Sequence, residues 1–341
     1  MKALVKKEAS KGLWLEEVPI PEIGPNDVLI KIHKTAICGT DVHIYKWDEW
    51  AQKTIPVPLI IGHEFMGTIA AVGKDVQHLQ DGMRVTGEGH ITCGECPGCR
   101  HGKKHLCSHT QGIGVQCPGC FAEYFSFPAS NVFALPDNIP DEIAAIFDPF
   151  GNAVHTAYQL QLPAHSVLVT GGGPIGIMAA AVAHFSGANH VILTDINPWR
   201  LELGKKMGAT ETIDIRNKSI KEYLKEKGLS EEISCGMEMS GSPEALNDLL
   251  ESVRPGATIA LLGILPSHAA INWNLVIFKM LTLKGVYGRE IFSTWDDMVN
   301  LIQAGFNLSP LITHHYSYKE FQKAFETMLN GQCGKVILNW I

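Results

Sequence analysis

The chain has 341 residues, 45% of them hydrophobic, and a formal net charge of −7. A single core stops growing near ~250–300 residues, so two domains are expected, and the mild acidity offers no field for nucleic acid or an anionic membrane surface. No apolar stretch approaches the roughly 20 residues that cross a bilayer, and the opening "MKALVKKEASKGLW" lacks the apolar region of a secretory signal. A cytoplasmic protein is therefore expected, its nine cysteines serving as free thiols or metal ligands, not disulfides.

The first 150 residues predict an irregular, β-rich domain. "VPIPEIGPNDV" is a connector no helix could cross. "VLIKIHKTAI", "GTIAAVG" and "RVTGEG" are short β-type runs broken by Gly, Pro and Asp. Between them stand "ICGTDVH" and "IGHE". Cys38, His63 and Glu64 offer a thiolate, an imidazole and a carboxylate, a zinc set with one position left open. Zinc in such a site polarises an alcohol oxygen and lowers its pKa. Thr40 and His43 follow Cys38 by two and five residues, a hydroxyl and an imidazole placed to pass a proton outward. No one of these residues carries the reading alone, since a lone buried cysteine is commonly packing.

"TCGECPGCRHGKKHLC" then brings Cys93, Cys96, Cys99 and Cys107 together as C-x2-C-x2-C-x7-C. Four thiolates close a tetrahedron and leave no room for substrate, so the site they form is structural. Zinc and an iron–sulfur cluster both fit four thiolates. Cys117 and Cys120, in "QCPGC", make a further C-x-x-C pair, read either as bystanders or as an oxidant-sensitive thiol pair.

From about residue 165 the texture becomes alternating strand and helix. "SVLVTGGGPIGIMAAAVAHFSGANHVILTDINP" reads as strand, glycine turn, helix, strand. Gly171, Gly173 and Gly176 fit G-x-G-x-x-G: one for the tight turn, one for approach of a pyrophosphate, one for helix–sheet packing. Asp195 stands nineteen residues past Gly176, where a carboxylate accepts from the adenosine ribose and repels a 2′-phosphate, so NAD is expected over NADP. Arg200, five residues on, is placed either near a 2′-phosphate, beside the adenine or on the surface. "ETIDI", "KSIKEYLKEKG", "ISCGMEMS", "PEALNDLLESV", "ATIALLG" and "LTLKGVYG" continue the βα rhythm to six strands, a doubly wound parallel sheet. "TWDDMVNLIQAG" reads as a helix and "KVILNW" as a last strand.

"GHEFMGTIAAVG", the four-cysteine loop and "TGGGPIGIMAAAVA", in that order, resemble the zinc-dependent medium-chain dehydrogenase/reductases over essentially the whole chain. The resemblance implies an α/β protein: a GroES-like catalytic domain at 1–148 with a structural zinc lobe at about 90–110, a Rossmann NAD domain at 149–292, and a segment, 293–341, returning to the first. It implies two zinc ions per subunit, one catalytic and one structural, and a homotetramer. Within the family, "KTAICGTDVHIYKWDEWAQKTIPVP", "GEGHITCG", "DPFGNAVHTA" and "IFKMLTLKGVYGRE" are similar to the branch that oxidises L-threonine to 2-amino-3-oxobutanoate with NAD. That likeness puts His90 near the substrate, Asp148 beside the catalytic zinc, and Ile175, Asp195, Arg200, Leu262, Gly263, Ile264, Val286 and Tyr287 on the cofactor. Cys117 departs from the family pattern before "PGCFAEY". A polyol or butanediol dehydrogenase would share the metal and cofactor motifs. A merely NAD-binding protein need not keep Cys38, Thr40, His43, His63 and Glu64 together, and all five are present.

Overall fold

The computed structural model describes Met1–Ile341 and divides into two compact units. The first comprises Met1–Asp148, Glu290–Trp295 and Ile312–Ile341; the second comprises Pro149–Arg289 and Asp296–Leu311.

The first unit is built on strand Asp27–Ala36, whose alternating inward residues Val28, Ile30 and Ile32 are buried. It pairs antiparallel with Phe65–Val72, Tyr124–Pro128 and the C-terminal strand Lys335–Asn339. The last pairing sets Ile337 against Ala36 and Leu338 against Thr35, so the end of the chain completes a sheet begun some three hundred residues earlier. Strand Arg84–Gly87 adds to Phe65–Val72, Val132–Ala134 adds to Arg84–Gly87, and Ile312–Ser317 runs parallel to Lys335–Asn339. Phe65, Phe125 and Phe127 fill the core, with ring centroids 5.1–5.6 Å apart. Aromatic contacts of this kind add about 0.5–1.5 kcal/mol each beyond area burial. As the prolines require, no regular element forms across residues 18–26.

In the second unit six strands, Ser166–Thr170, His190–Asp195, Glu211–Asp214, Ile233–Glu238, Thr258–Leu261 and Thr282–Gly285, pair parallel throughout. Their spatial order is third, second, first, fourth, fifth, sixth. That order reverses between the first and fourth strands, and such a reversal opens a crevice at the carboxyl ends. The first strand is buried at all five positions, as a central parallel strand covered on both faces must be.

The C-terminal part departs from expectation. Residues 296–311 cluster with the second unit instead of returning to the first. Phe306 accounts for this locally: its ring stacks on Phe150 at 5.4 Å, an apolar contact no strand or helix pattern announces.

Candidate active site and metal centres

Cys38 follows strand Asp27–Ala36 and caps helix Gly39–Lys46. Asp41, in the first turn of that helix, accepts the Cys38 amide at 2.9 Å, which suits the positive end of the helix dipole. Cys38, His63 and Glu64 each bring one ligand atom, and the three lie within 4.8 Å of one another. One ion with bonds of about 2.0–2.3 Å can reach all three, and the S, N, O set is zinc's.

The electrostatics ask for the same ion. Asp41 is wholly buried, and its Oδ1 faces His63 Nδ1 at 3.8 Å, too far for a hydrogen bond. Neither atom has another hydrogen-bond partner. Burial opposes a charged His63, yet Cys38 and Asp41 outweigh it and raise its pKa well above the usual value. A pocket that pulls a proton onto histidine this strongly is short of a cation.

Part of that need is met by Lys335, from the last strand. Its buried ammonium lies 2.7 Å from Glu64 Oε1 and 2.6 Å from Oε2, and also donates to the Ile37 carbonyl at 2.8 Å. Burial opposes its charge, but Glu64 and Cys38 outweigh burial and hold its pKa above the ordinary lysine value.

Thr40 Oγ1 lies 3.8 Å from Cys38 Sγ. His43, on the same helix, is largely exposed, hydrogen-bonds through Nδ1 to Asp48 Oδ2 and meets the edge of Trp50. Asp48 also caps the next helix, Glu49–Thr54, by accepting the Ala51 amide at 3.1 Å. His90 begins the short strand His90–Ile91, and its ring nitrogen Nδ1 is 2.8 Å from Glu88. Between them, a Cβ on Gly89 would stand 3.5 Å from Asp148 Oδ2 and 3.8 Å from His63 Cβ. The 88–90 backbone and Asp148 thus border the metal set.

Cys93, Cys96, Cys99 and Cys107 likewise lie within 4.8 Å of one another. A one-turn helix, Pro97–Arg100, starts from Cys96, and Gly94 and Gly102 turn the chain with positive φ. The Cys93–Cys107 sulfur separation of 3.6 Å is far beyond a disulfide bond. Amides aim at the sulfurs, Cys96 N at Cys93 and His109 N at Cys107. Hydrogen bonds from the Cys99 and Ser108 amides lower Cys96 to about 5. Amide hydrogen bonds lower Cys107 as well, while burial raises Cys99 to about 11; four sulfurs this close, with amides aimed at them, fit a metal ion. Cys117 and Cys120 join neither cluster; burial raises both thiols, which leaves them protonated and sluggish toward oxidants.

In the second unit the cofactor candidates gather at the carboxyl ends of the strands. Gly171 has φ +97°, and a Cβ there would fall 2.7 Å from Ser240 N. A Cβ on Gly176 would fall 1.9 Å from Gly171 O, so the helix can start this close to the strand only as glycine. Gly173 caps helix Pro174–Phe185, and the space beside it is open. This cradle, at a helix N-terminus, has the shape and polarity for a pyrophosphate. Asp195 ends the second strand, held by Gly172 N at 2.6 Å and Asn197 N at 2.7 Å. Ile175 is half-buried in the glycine helix; Arg200 stands in the first turn of Pro198–Met207, its Nε buried without a partner. Leu262 and Gly263 donate their amides to the Glu238 carbonyl, both at 3.0 Å. Beyond them Ile264 is 92% exposed, and past half-buried Val286 Tyr287 is 63% exposed. These are large apolar surfaces suited to covering flat rings.

Lys335, Glu88, Asp41, Asp48, Glu238 and Trp295 were not singled out from sequence. Glu238 organises the turn after the fourth strand, accepting Ser240 N at 2.8 Å and Gly241 N at 3.0 Å.

Residues 24–137 match the alcohol dehydrogenase GroES-like domain, and residues 174–304 match the zinc-binding dehydrogenase domain. The chain is 57% identical to an L-threonine 3-dehydrogenase of Alteromonas mediterranea and 58% identical to one of Proteus mirabilis, with complete coverage of both chains in each case. Its fold is similar to that of an Escherichia coli protein described as a short chain alcohol dehydrogenase and solved with NADH, at a TM-score of 0.92, 28% identity and coverage of 100% of this chain and 99% of that one. By its parallel sheet, its family-model matches and these full-length likenesses, the chain belongs to the zinc-dependent medium-chain dehydrogenase family.

Proposed function

We propose that this enzyme oxidises the side-chain hydroxyl of L-threonine with NAD, giving 2-amino-3-oxobutanoate, NADH and a proton. The observation that carries the reading is the Cys38, His63, Glu64 cluster with Thr40 beside it, in a chain 56–58% identical along its length to L-threonine 3-dehydrogenases. Cys38, His63 and Glu64 would hold a zinc ion that supplies Lewis acidity at the substrate hydroxyl, while NAD supplies the hydride acceptor.

The chain's own groups supply the rest. Thr40 takes the hydroxyl proton in a hydrogen-bonded relay and His43 delivers it to water, as its exposure allows. His90 borders the substrate, and Asp148 adds negative charge beside the metal set. The glycine cradle, through the Gly172 to Gly176 backbone, receives the pyrophosphate, and Asp195 accepts from the ribose hydroxyls. Cys93, Cys96, Cys99 and Cys107 would hold a second, structural zinc, which would fix a loop with few buried side chains.

We also infer a cytoplasmic homotetramer. Nine cysteines, none bridged, suit a reducing compartment, and no helix is long and apolar enough to cross a membrane. The last strand of the parallel sheet, Thr282–Gly285, is an edge, and Ile277, Phe278 and Met280 just before it are mostly exposed. An apolar edge of this kind invites pairing with a second copy.

The test is NADH absorbance from zinc-loaded protein with L-threonine, sorbitol, 2,3-butanediol and ethanol in parallel. Strong turnover of L-threonine alone supports the reading. A preference for a diol would keep the zinc chemistry and remove the substrate.

A further inference from the structure

Glu88 is wholly buried, and a carboxylate in that position needs donors on both oxygens. Oε1 accepts the His90 backbone amide at 3.0 Å and faces the His90 ring nitrogen Nδ1 at 2.8 Å. Oε2 accepts the Trp295 indole N–H at 3.1 Å. A backbone amide and an indole can only donate, so both oxygens act as acceptors, and an ionised Glu88 accepts from His90 Nδ1 as well. The His90 proton is thereby placed on Nδ1, and Nε2 is the acceptor side of the ring. The backbone is pinned too: Asn131 Nδ2 donates to the Glu88 carbonyl at 2.8 Å and to the His90 carbonyl at 2.9 Å. Residue 89 between them borders Asp148 and His63, so the backbone that carries His90 runs past the metal set.

We propose that Glu88 is a positioning and specificity-determining residue: by fixing His90 as an acceptor with a buried negative charge behind it, Glu88 selects alcohols that carry an ammonium group beside the hydroxyl over those that do not. This rests on the reading of His90 as a substrate-side group. An ammonium has only donors and a full positive charge, so it gains both a hydrogen bond to an acceptor nitrogen and the attraction of the carboxylate behind it. A neutral diol carries no charge and a hydroxy acid only a negative one, so neither gains this attraction. Sites built around a buried polar group discriminate strongly against ligands that leave it unpaired.

The experiment compares wild type, Glu88→Gln, His90→Gln and the double variant in zinc-loaded enzyme at saturating NAD. It measures kcat and KM for L-threonine. It also measures the inhibition constants, against L-threonine, of 1-amino-2-propanol, which has the ammonium, and 3-hydroxybutanoate, which lacks it. Glutamine keeps the size of Glu88 and removes the charge. Glu88→Gln is expected to raise the L-threonine KM and the amino-alcohol constant about tenfold, with the hydroxy-acid constant within about twofold of wild type. In the His90→Gln background it should add little. Equal weakening of both inhibitors, or of neither, overturns the proposal. If His90→Gln leaves every constant unchanged while the wild type turns over L-threonine, the placement of His90 at the substrate is wrong, and the proposal falls with it. Selectively 15N-labelled histidine in the wild type gives a reading independent of turnover and of how the variants fold. His90 should show its proton on Nδ1, and a proton on Nε2 overturns the inference.

Discussion

At the scale of single residues, Glu64 has two suitors. Lys335 already pairs with it, and the Cys38–His63 cluster brings a second claim on the same carboxylate. Replacing Lys335 with Met leaves Glu64 buried and unpaired when the metal is stripped, and removing one partner of a buried pair costs about 3–5 kcal/mol. With zinc bound, the ion compensates the charge, so the same substitution should cost clearly less. Urea unfolding of Lys335→Met with and without a chelator checks this, and equal losses in the two states would mean Glu64 does not serve the metal. Asp48 offers a second residue-level prediction. Hydrogen bonds from His43 and the Ala51 amide outweigh slight burial and hold its carboxyl below the usual range, so it is a charged partner for the His43 ring. Asp48→Asn preserves the helix cap, since asparagine caps as well as aspartate. It should therefore fold normally while lowering kcat for L-threonine roughly tenfold through a misoriented relay. An unchanged kcat, measured beside an unchanged melting curve, would take Asp48 out of the relay. These residues also show where sequence reading stops. Cys38, His63 and the four-cysteine loop were legible because their chemistry sits in short, local spacings. Lys335 reads only as a lysine opening a strand, and Trp295 as an aromatic in a helix; their partners Glu64 and Glu88 lie hundreds of positions away.

At the scale of elements, the strand–glycine–helix unit was legible in its order, because its requirements are steric and local. Strand Ser166–Thr170, helix Pro174–Phe185 and strand His190–Asp195 stand where the pattern put them. Gly176 carries the strongest constraint, with a Cβ 1.9 Å from the Gly171 carbonyl. Gly176→Ala must push the helix start away from the turn, which displaces the amides meant for the pyrophosphate. NAD affinity, measured by calorimetry, should fall at least tenfold, more than the melting temperature would suggest. Retained affinity would place the phosphates elsewhere. The cysteine lobe is the opposite kind of element, with Cys96 and Cys99 buried but little apolar material around them and Leu106 58% exposed. Its order is therefore expected to depend on a bound ion. Cys99→Ser should release one zinc per subunit by elemental analysis and speed proteolysis between residues 93 and 107, leaving the second zinc in place. The helix at Ser293–Gln303 was legible as a helix but not in its allegiance. Its first residues, through Trp295, go with the first unit, where the Trp295 indole meets Glu88, and the rest go with the second, a division that periodicity does not reveal.

At the scale of the whole molecule, the parallel sheet ends at Thr282–Gly285 with its outer hydrogen-bonding row unpaired, and no Pro or bulge blunts it. One lysine, Lys284, lies on that strand, and it donates to the Gln159 carbonyl at 2.7 Å. The approach to the edge is apolar: Phe278 is 81% exposed, Met280 82%, Ile277 67% and Trp273 56%. An edge flanked by such side chains is an aggregation hazard unless a partner covers it. A two-fold axis solves the problem most simply, because each strand then meets its own copy and the apolar flank meets itself. The tetramer inferred above would need a second, different contact, so damage at this edge should not yield a smaller tetramer but a lower oligomer. Phe278→Asp places two like charges across the axis in a desolvated interface, at a cost of several kcal/mol per contact. Light scattering coupled to gel filtration should then show the mass falling from four chains to two or one, with zinc content unchanged. A mass that stays at four chains, with the aspartate in place, would mean that this edge faces water and that the copies meet through other surfaces.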